Sequence, residues 1–254
     1  MTNKYPRKLP ISEDSEMITL PDSRFYKRNG KYYPSVTHIL GSYPKGKYFE
    51  DWLKKVGYSA DYLVRKSAED GKLVHGMIED YLGGKEISFL NKNDYPKMEP
   101  HVWKMFLNFV NFWETYEPKL IDKEIHLFSD KYQTAGTCDL VCEINNQLWI
   151  IDHKTSNHLQ TVYELQTSIY SECFKECYGK TPDRLGVLWL NSKSRGPDKN
   201  GKVLKGKGWV LHESSRSQED NVKIFEAVKQ IFDIENPKYK PYNQQFPIKA
   251  KLNI

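Results

Sequence analysis

The sequence predicts an α/β fold, a central mixed β-sheet flanked by helices, with an N-terminal helical region before it. Three observations predict it. Apolar residues recur at helical spacing within residues 47–83 and 99–116. From residue 119 the period changes to two and stays there to 154. A helical pattern over 161–178 then separates these strands from a further strand near 185–191.

Taken in order, residues 1–23 read as a loose leader with little periodicity. Residues 24–33 hold two aromatic-rich strands around Asn29-Gly30, a pair whose tolerance of positive φ suits a two-residue hairpin turn. Ser35 is the expected N-cap of a short helix running through Leu40. Residues 47–83 read as helices, one carrying Phe49, Trp52 and Leu53. The last opens near Gly71, carries Leu73, His75, Ile78, Glu79 and Leu82, and stops at Gly83-Gly84. In 99–116 the stripe is Trp103, Phe106, Leu107, Val110 and Trp113. Strands follow at 120–128, 136–144 and 147–154, the last two joined by Asn145-Asn146. The helix at 161–178 shows Thr161 and Glu164 in capping-box spacing and Gly179 as its stop. Strands near 185–191 and 207–212 flank a polar loop, and a helix at about 218–232 opens at Ser217. The expected organisation is a leader (1–23), a hairpin and helical region (24–117) and a core (118–254), the last two packed as one compact domain.

Composition agrees with a globular chain. At 254 residues and 39% hydrophobic it can bury a sizeable core, and charges of both signs are mixed. No run of eighteen apolar residues exists, which excludes a membrane-spanning helix. The first residues lack an apolar signal core and carry Glu13, Asp14 and Glu16, so a cytoplasmic location is expected. A net charge of +5 is a mild hint of a polyanionic partner. Four cysteines in a chain of this length make no disulfide framework, and a reducing compartment suits them.

The chemistry-bearing residues lie on the adjoining strands. Asp152 and Lys154 are two apart and share a face, while Trp149, Ile151 and His153 point away. Asp139 occupies the preceding strand, on the face opposite Cys138, Leu140 and Cys142. Two carboxylates can bind Mg2+ or Mn2+, and a lysine beside them can stabilise charge on a reacting phosphate. An Asp–Lys ion pair at a strand end is the structural alternative. His75 and Glu79, four apart, share a helical face, as do Gln166 and Tyr170. Gln166 and Tyr170 suit either substrate hydrogen bonding and the orientation of Lys154, or core packing.

Gly136-Thr137-Cys138-Asp139, then Ile151-Asp152-His153-Lys154-Thr155-Ser156, then Gln166-x-x-x-Tyr170 resemble the RecB-type branch of the PD-(D/E)XK nucleases. Upstream, the run from Tyr33 to Leu40, the Trp52 helix, and Gly71 to His75 with Glu79 resemble the mitochondrial genome maintenance exonucleases and their phage and bacterial relatives. The likeness covers roughly residues 32 to 190 and implies a restriction-endonuclease-like core. It also implies a Mg2+- or Mn2+-dependent deoxyribonuclease, compatible with phage replication, recombination or repair. Asp139 and Asp152 would be its metal-binding aspartates and Lys154 its catalytic lysine. His75 would be a further metal ligand, and the carbonyl of His153 would complete the coordination. Glu124 matches a recurrent family glutamate with a supporting role, as Glu79 would have beside His75. Some relatives hold an iron–sulfur cluster with one cysteine before the motifs and three after. Here Cys138, Cys142, Cys173 and Cys177 all lie inside the motif region, so buried thiols are expected instead.

For nucleic-acid contacts, Lys193, Arg195, Lys199, Lys202, Lys205 and Lys207 crowd a glycine-rich loop that reads by default as a solvated hairpin loop and, beside a nuclease core, as a phosphate-contacting flap. Ser35 and Thr37, at a helix start, are further phosphate candidates. The leading function is an exonuclease acting on single-stranded DNA or flaps. A structure-specific endonuclease and a non-catalytic DNA-binding module on the same fold are the alternatives.

Overall fold

A computed structural model describes residues 16–20, 23–191 and 208–242. Its centre is a five-stranded sheet in the order β4 (Lys119–Ser129), β5 (Thr134–Ile144), β6 (Gln147–Lys154), β7 (Arg184–Trp189) and β8 (Val210–His212). Neighbours β4, β5 and β6 are antiparallel, joined in part by the Asn145-Asn146 turn, where φ is 51° and 62°. Strand β7 runs parallel to β6, and β8 antiparallel to β7. The parallel pair needs a crossover, supplied by α5 (Thr161–Tyr178), which ends on Gly179 in the left-handed region as expected. The fold is thus α/β with a mixed sheet flanked by helices.

Each sheet face buries its own apolar cluster. One face packs Val141, Leu148 and Ile150 against Leu165, Ile169 and Phe174 of α5 and Phe225 of α6 (Gln218–Glu235). The other packs Leu140, Cys142, Ile144, Trp149 and Ile151 against α3 (Ala60–Leu82) and α4 (Pro100–Tyr116). A second sheet of β1 (Glu16–Thr19), β2 (Arg24–Arg28) and β3 (Lys31–Pro34) docks on the start of β5. Tyr26 shares a 3.0 Å hydrogen bond with Thr137, and Thr134 donates to the Pro34 carbonyl at 2.9 Å. Ser35 caps α1 (Val36–Ile39), its hydroxyl accepting the His38 N–H. After α1 comes α2 (Gly46–Val56), which buries no residue.

The structure corrects several expectations. Residues 16–19 are not a loose leader but pair antiparallel with β2. Helix α3 does not open at Gly71; it runs uninterrupted from Ala60, and Gly71 lies buried in its interior. On α4 the buried stripe is Val102, Met105, Phe106, Phe109 and Phe112, rotated from the expected one, with Leu107 exposed. Thr161 does not cap α5; Gln160 is the N-cap and makes no side-chain bond. Glu164 instead accepts from His212, Ser214 and Arg216, which clasp α5 to the segment before α6. All four cysteines are buried free thiols. Among the described residues, no helix is long and apolar enough to cross a membrane.

Candidate active site

The site begins where two paired strands part. The β5–β6 ladder ends at Leu140 opposite Ile151, one residue short of Asp139 and Asp152. Beyond that point the backbone N–H of His153 is taken by the Asp139 carboxylate, Oδ2, at 2.6 Å. Strict alternation fails here as well. Cys138 packs into the α5-side cluster while Leu140 and Cys142 pack on the α3–α4 side, so these three do not share a face as expected. Asp139 sits at this crossover of faces and is buried.

On the α5 side lies a closed polar chain. Lys154 Nζ is 2.6 Å from Asp152 Oδ2 and donates to Gln166 Oε1 at 3.0 Å. Gln166 Nε2 donates to Asp152 Oδ1 at 2.8 Å and to the Tyr170 hydroxyl at 3.0 Å. Residues 166 and 170 are one helical turn apart, which sets both against β6. A β-carbon on Gly136 would stand 2.4 Å from the Tyr170 ring, so the glycine of the Gly-Thr-Cys-Asp run makes room for that ring. Tyr163, which the sequence reasoning missed, places its ring 4.8 Å beneath Lys154 Nζ. Only its position one turn before Thr167 on an amphipathic helix would have hinted at it.

On the α3 side lie two imidazoles. Gly71 lets α3 approach the end of β6 closely, since a β-carbon there would be 2.9 Å from the Thr155 hydroxyl. One turn later His75 Nδ1 faces Asp139 Oδ1 at 3.6 Å. The His153 ring enters from β6, with Nδ1 3.9 Å from Asp139 Oδ2 and the ring edge-on to Phe109 at 5.2 Å. One ligand atom from each of His75, Asp139 and His153 lies within 4.8 Å of the others. Sequence reasoning assigned only the carbonyl of His153. Alternation, which turns its ring toward the helix carrying His75, was the available signal for the ring.

Electrostatics separate these groups. Burial raises the Asp139 carboxyl, but the neighbouring His75 outweighs it and holds the pKa well below the ordinary range. Burial would lower His75; the Asp139 carboxylate reverses this and lifts it to about 9. Asp152 rises to about 6, because burial and Asp139 together exceed the pull of Lys154. Burial depresses His153 to about 4, so its ring is neutral. Glu124, with left-handed backbone at φ 48°, falls between Lys123 and Ile125, whose partners Leu140 and Cys138 bracket Asp139. Burial and the charge of Asp139 push its carboxyl up to about 8. A site with this many carboxyls, and with an imidazole that finds no partner among the described residues, fits a divalent cation.

Comparison with known proteins adds little to this geometry. No family model and no curated protein matches the chain. A solved Eubacterium rectale protein, provisionally named an exonuclease, is similar at 10% identity over 72% of this chain and 77% of that one, with a TM-score of 0.40. The structure of SSO0001 is similar at 14% identity over 77% of this chain and 100% of that one, with a TM-score of 0.26.

The remaining candidates lie at varied distances from this centre. Glu79 is exposed, and its backbone carbonyl accepts from Lys123. Ser35 is buried and engaged in capping, while Thr37 beside it is exposed. Lys193, Arg195, Lys199, Lys202, Lys205 and Lys207 lie outside the described residues.

Proposed function

We propose that this protein is a metal-dependent deoxyribonuclease of the PD-(D/E)XK type, in its RecB-like branch, acting as an exonuclease on single-stranded DNA or flaps. One observation carries the reading: a lysine ammonium clasped between Asp152 and Gln166, beside a buried Asp139 that also faces His75. Asp139 and Asp152, with His75 and the carbonyl of His153, would hold Mg2+ or Mn2+. Bound there, the cation would polarise a phosphodiester and lower the pKa of a water.

The protein groups do the positioning. Lys154 holds fixed positive charge where the phosphate accumulates negative charge, and it costs no reorganisation because Asp152 and Gln166 already fix it. Tyr170 fixes Gln166 in turn. Glu124 and Glu79 would play a supporting role beside Asp139 and His75. Thr37, and Lys193, Arg195, Lys199, Lys202 and Lys205, would meet DNA phosphates. Four free thiols suit a reducing, cytoplasmic setting.

The test is digestion of end-labelled linear and circular single strands of one sequence, with Mg2+ or Mn2+. Linear strands should shorten progressively while circles persist. Rapid linearisation of circles, absent from an Asp152→Asn preparation, would make the protein an endonuclease. Failure to cut either strand would leave a DNA-binding module.

A further inference from the structure

The His153 side chain has no explanation in the chemistry proposed so far. It is 1% exposed, and among the described residues neither ring nitrogen has a hydrogen-bond partner. Buried polar groups in native proteins are nearly always paired, and an orphan points to an absent ion or water. The ring's neighbours explain why no protein partner meets it. Phe109 lies against one side, and the surrounding cluster from α3, α4 and the sheet is apolar. The polar groups it faces are Asp139, 3.9 Å away, and the His75 ring, whose centroid is 5.8 Å away.

Those separations are too long for hydrogen bonds and suit donors that share a cation. Ligands about 2.0–2.1 Å from one ion stand roughly 3.0–3.4 Å apart when adjacent in its coordination shell. Here His75 and His153 nitrogens lie 3.6 and 3.9 Å from the two oxygens of one carboxylate.

We infer that the His153 imidazole, with His75 and Asp139, forms a two-histidine, one-carboxylate cation site that selects a first-row transition ion over Mg2+. Imidazole nitrogen is a borderline donor that suits Fe2+ through Zn2+, whereas Mg2+ takes oxygen ligands and keeps much of its water. Mn2+, the least tightly held of the first-row divalent ions, is the stringent probe. The inference deepens the nuclease reading, and it names the ion that the same centre prefers.

The experiment uses EDTA-treated full-length protein without DNA. Calorimetry should give a smaller Kd for Mn2+ than for Mg2+. Replacing His153 with Phe keeps the backbone carbonyl and the aromatic packing, so it removes only the ring nitrogens. His153→Phe should weaken Mn2+ by at least about 10–100-fold, the range produced by losing even an outer-shell partner. Mg2+ binding should fall by a smaller factor, and an equal loss for the two ions would overturn the inference. Electron spin-echo modulation of Mn2+ on the unmodified protein needs no variant, and should show two coupled imidazoles. One imidazole or none, or equal affinities for the two ions, would overturn the inference. Two imidazoles without DNA cleavage would sink the nuclease reading alone. Cleavage by protein whose bound Mn2+ couples to fewer than two imidazoles would sink this inference alone.

Discussion

The Asp139 carboxylate accepts the backbone N–H of His153 at 2.6 Å, just past the last paired residues of β5 and β6. One interaction thus substitutes for a lost ladder bond and fixes the carboxylate that both site histidines face. Asn at position 139 can still accept that N–H through its amide oxygen, so the fold should survive the change. The negative charge would be gone, and with it the cation's hold. Because a bound cation is worth several kcal/mol of transition-state stabilisation, Asp139→Asn should lower single-turnover cleavage by about 10³-fold or more. DNA binding should persist, since phosphate contacts dominate affinity. Near-normal turnover of the variant in Mg2+ or Mn2+ would remove Asp139 from the site.

Much of this centre is legible in the sequence because strand geometry is local. The spacing of Asp152 and Lys154 fixes a shared face, and Asn145-Asn146 fixes the hairpin that brings β5 beside β6. What the sequence hides is set by tertiary contact. Gly71 looks like a helix start, yet α3 runs through it because the close approach to Thr155 needs a glycine there. The spacing of Thr161 and Glu164 matches a capping box, but Glu164 finds partners 48 to 52 residues away. Period-two reasoning places Cys138 with Leu140, and the change of face at Asp139 separates them. Residues 16–19 pair only because β2 offers them an edge, which a four-residue segment does not announce.

Gly136→Ala should act through Tyr170. The added methyl would meet a ring that is 2% exposed and cannot swing clear. Overpacking of this kind costs about 1–3 kcal/mol. Displacing the ring also frees Gln166, so the cleavage rate should fall beyond the loss of folded protein. In a Tyr170→Ala background the same substitution should cost little, because the clash is gone. Urea unfolding of the four proteins measures this, and additive losses would show that Gly136 and Tyr170 are not coupled.

Glu164 gives the fold a pH dependence of known sign. Burial raises its carboxyl, but hydrogen bonds from His212 and Ser214 and the charge of Arg216 outweigh it and hold the pKa below the ordinary 4.5. A depressed carboxylate contributes stability above the unfolded pKa and loses it as pH falls through the folded one. Glu164→Gln should therefore unfold at lower urea than the unmodified protein at pH 7. The gap should narrow as pH falls below about 4.5. A gap independent of pH would mean that the clasp acts by packing rather than charge.

Lys154 separates the catalytic reading from the structural one. Its ammonium forms a 2.6 Å ion pair with an Asp152 that is 1% exposed, so losing the lysine strands a buried carboxyl. Removing one partner of a buried pair costs about 3–5 kcal/mol, and an elevated Asp152 pKa of about 6 lets protonation relieve part of that. Lys154→Ala alone therefore confuses the two roles, because both predict damage. Lys154→Ala with Asp152→Asn removes both buried charges and should regain much of the stability. It cannot regain catalysis, since the proposed site needs Asp152 to hold the cation and Lys154 to meet the reacting phosphate. Lys154→Arg offers the complementary case: charge is kept, but the planar fork does not reproduce a compact ammonium held between Asp152 and Gln166. A preorganised charge donor is worth about 10²–10³ in rate, so Lys154→Ala should slow single turnover by that factor per folded molecule. Cation affinity, measured without DNA, should change little, because Lys154 is no ligand. If Lys154→Ala lowers only the unfolding midpoint and leaves the rate per folded molecule intact, the pair is structural and the catalytic assignment of Lys154 fails.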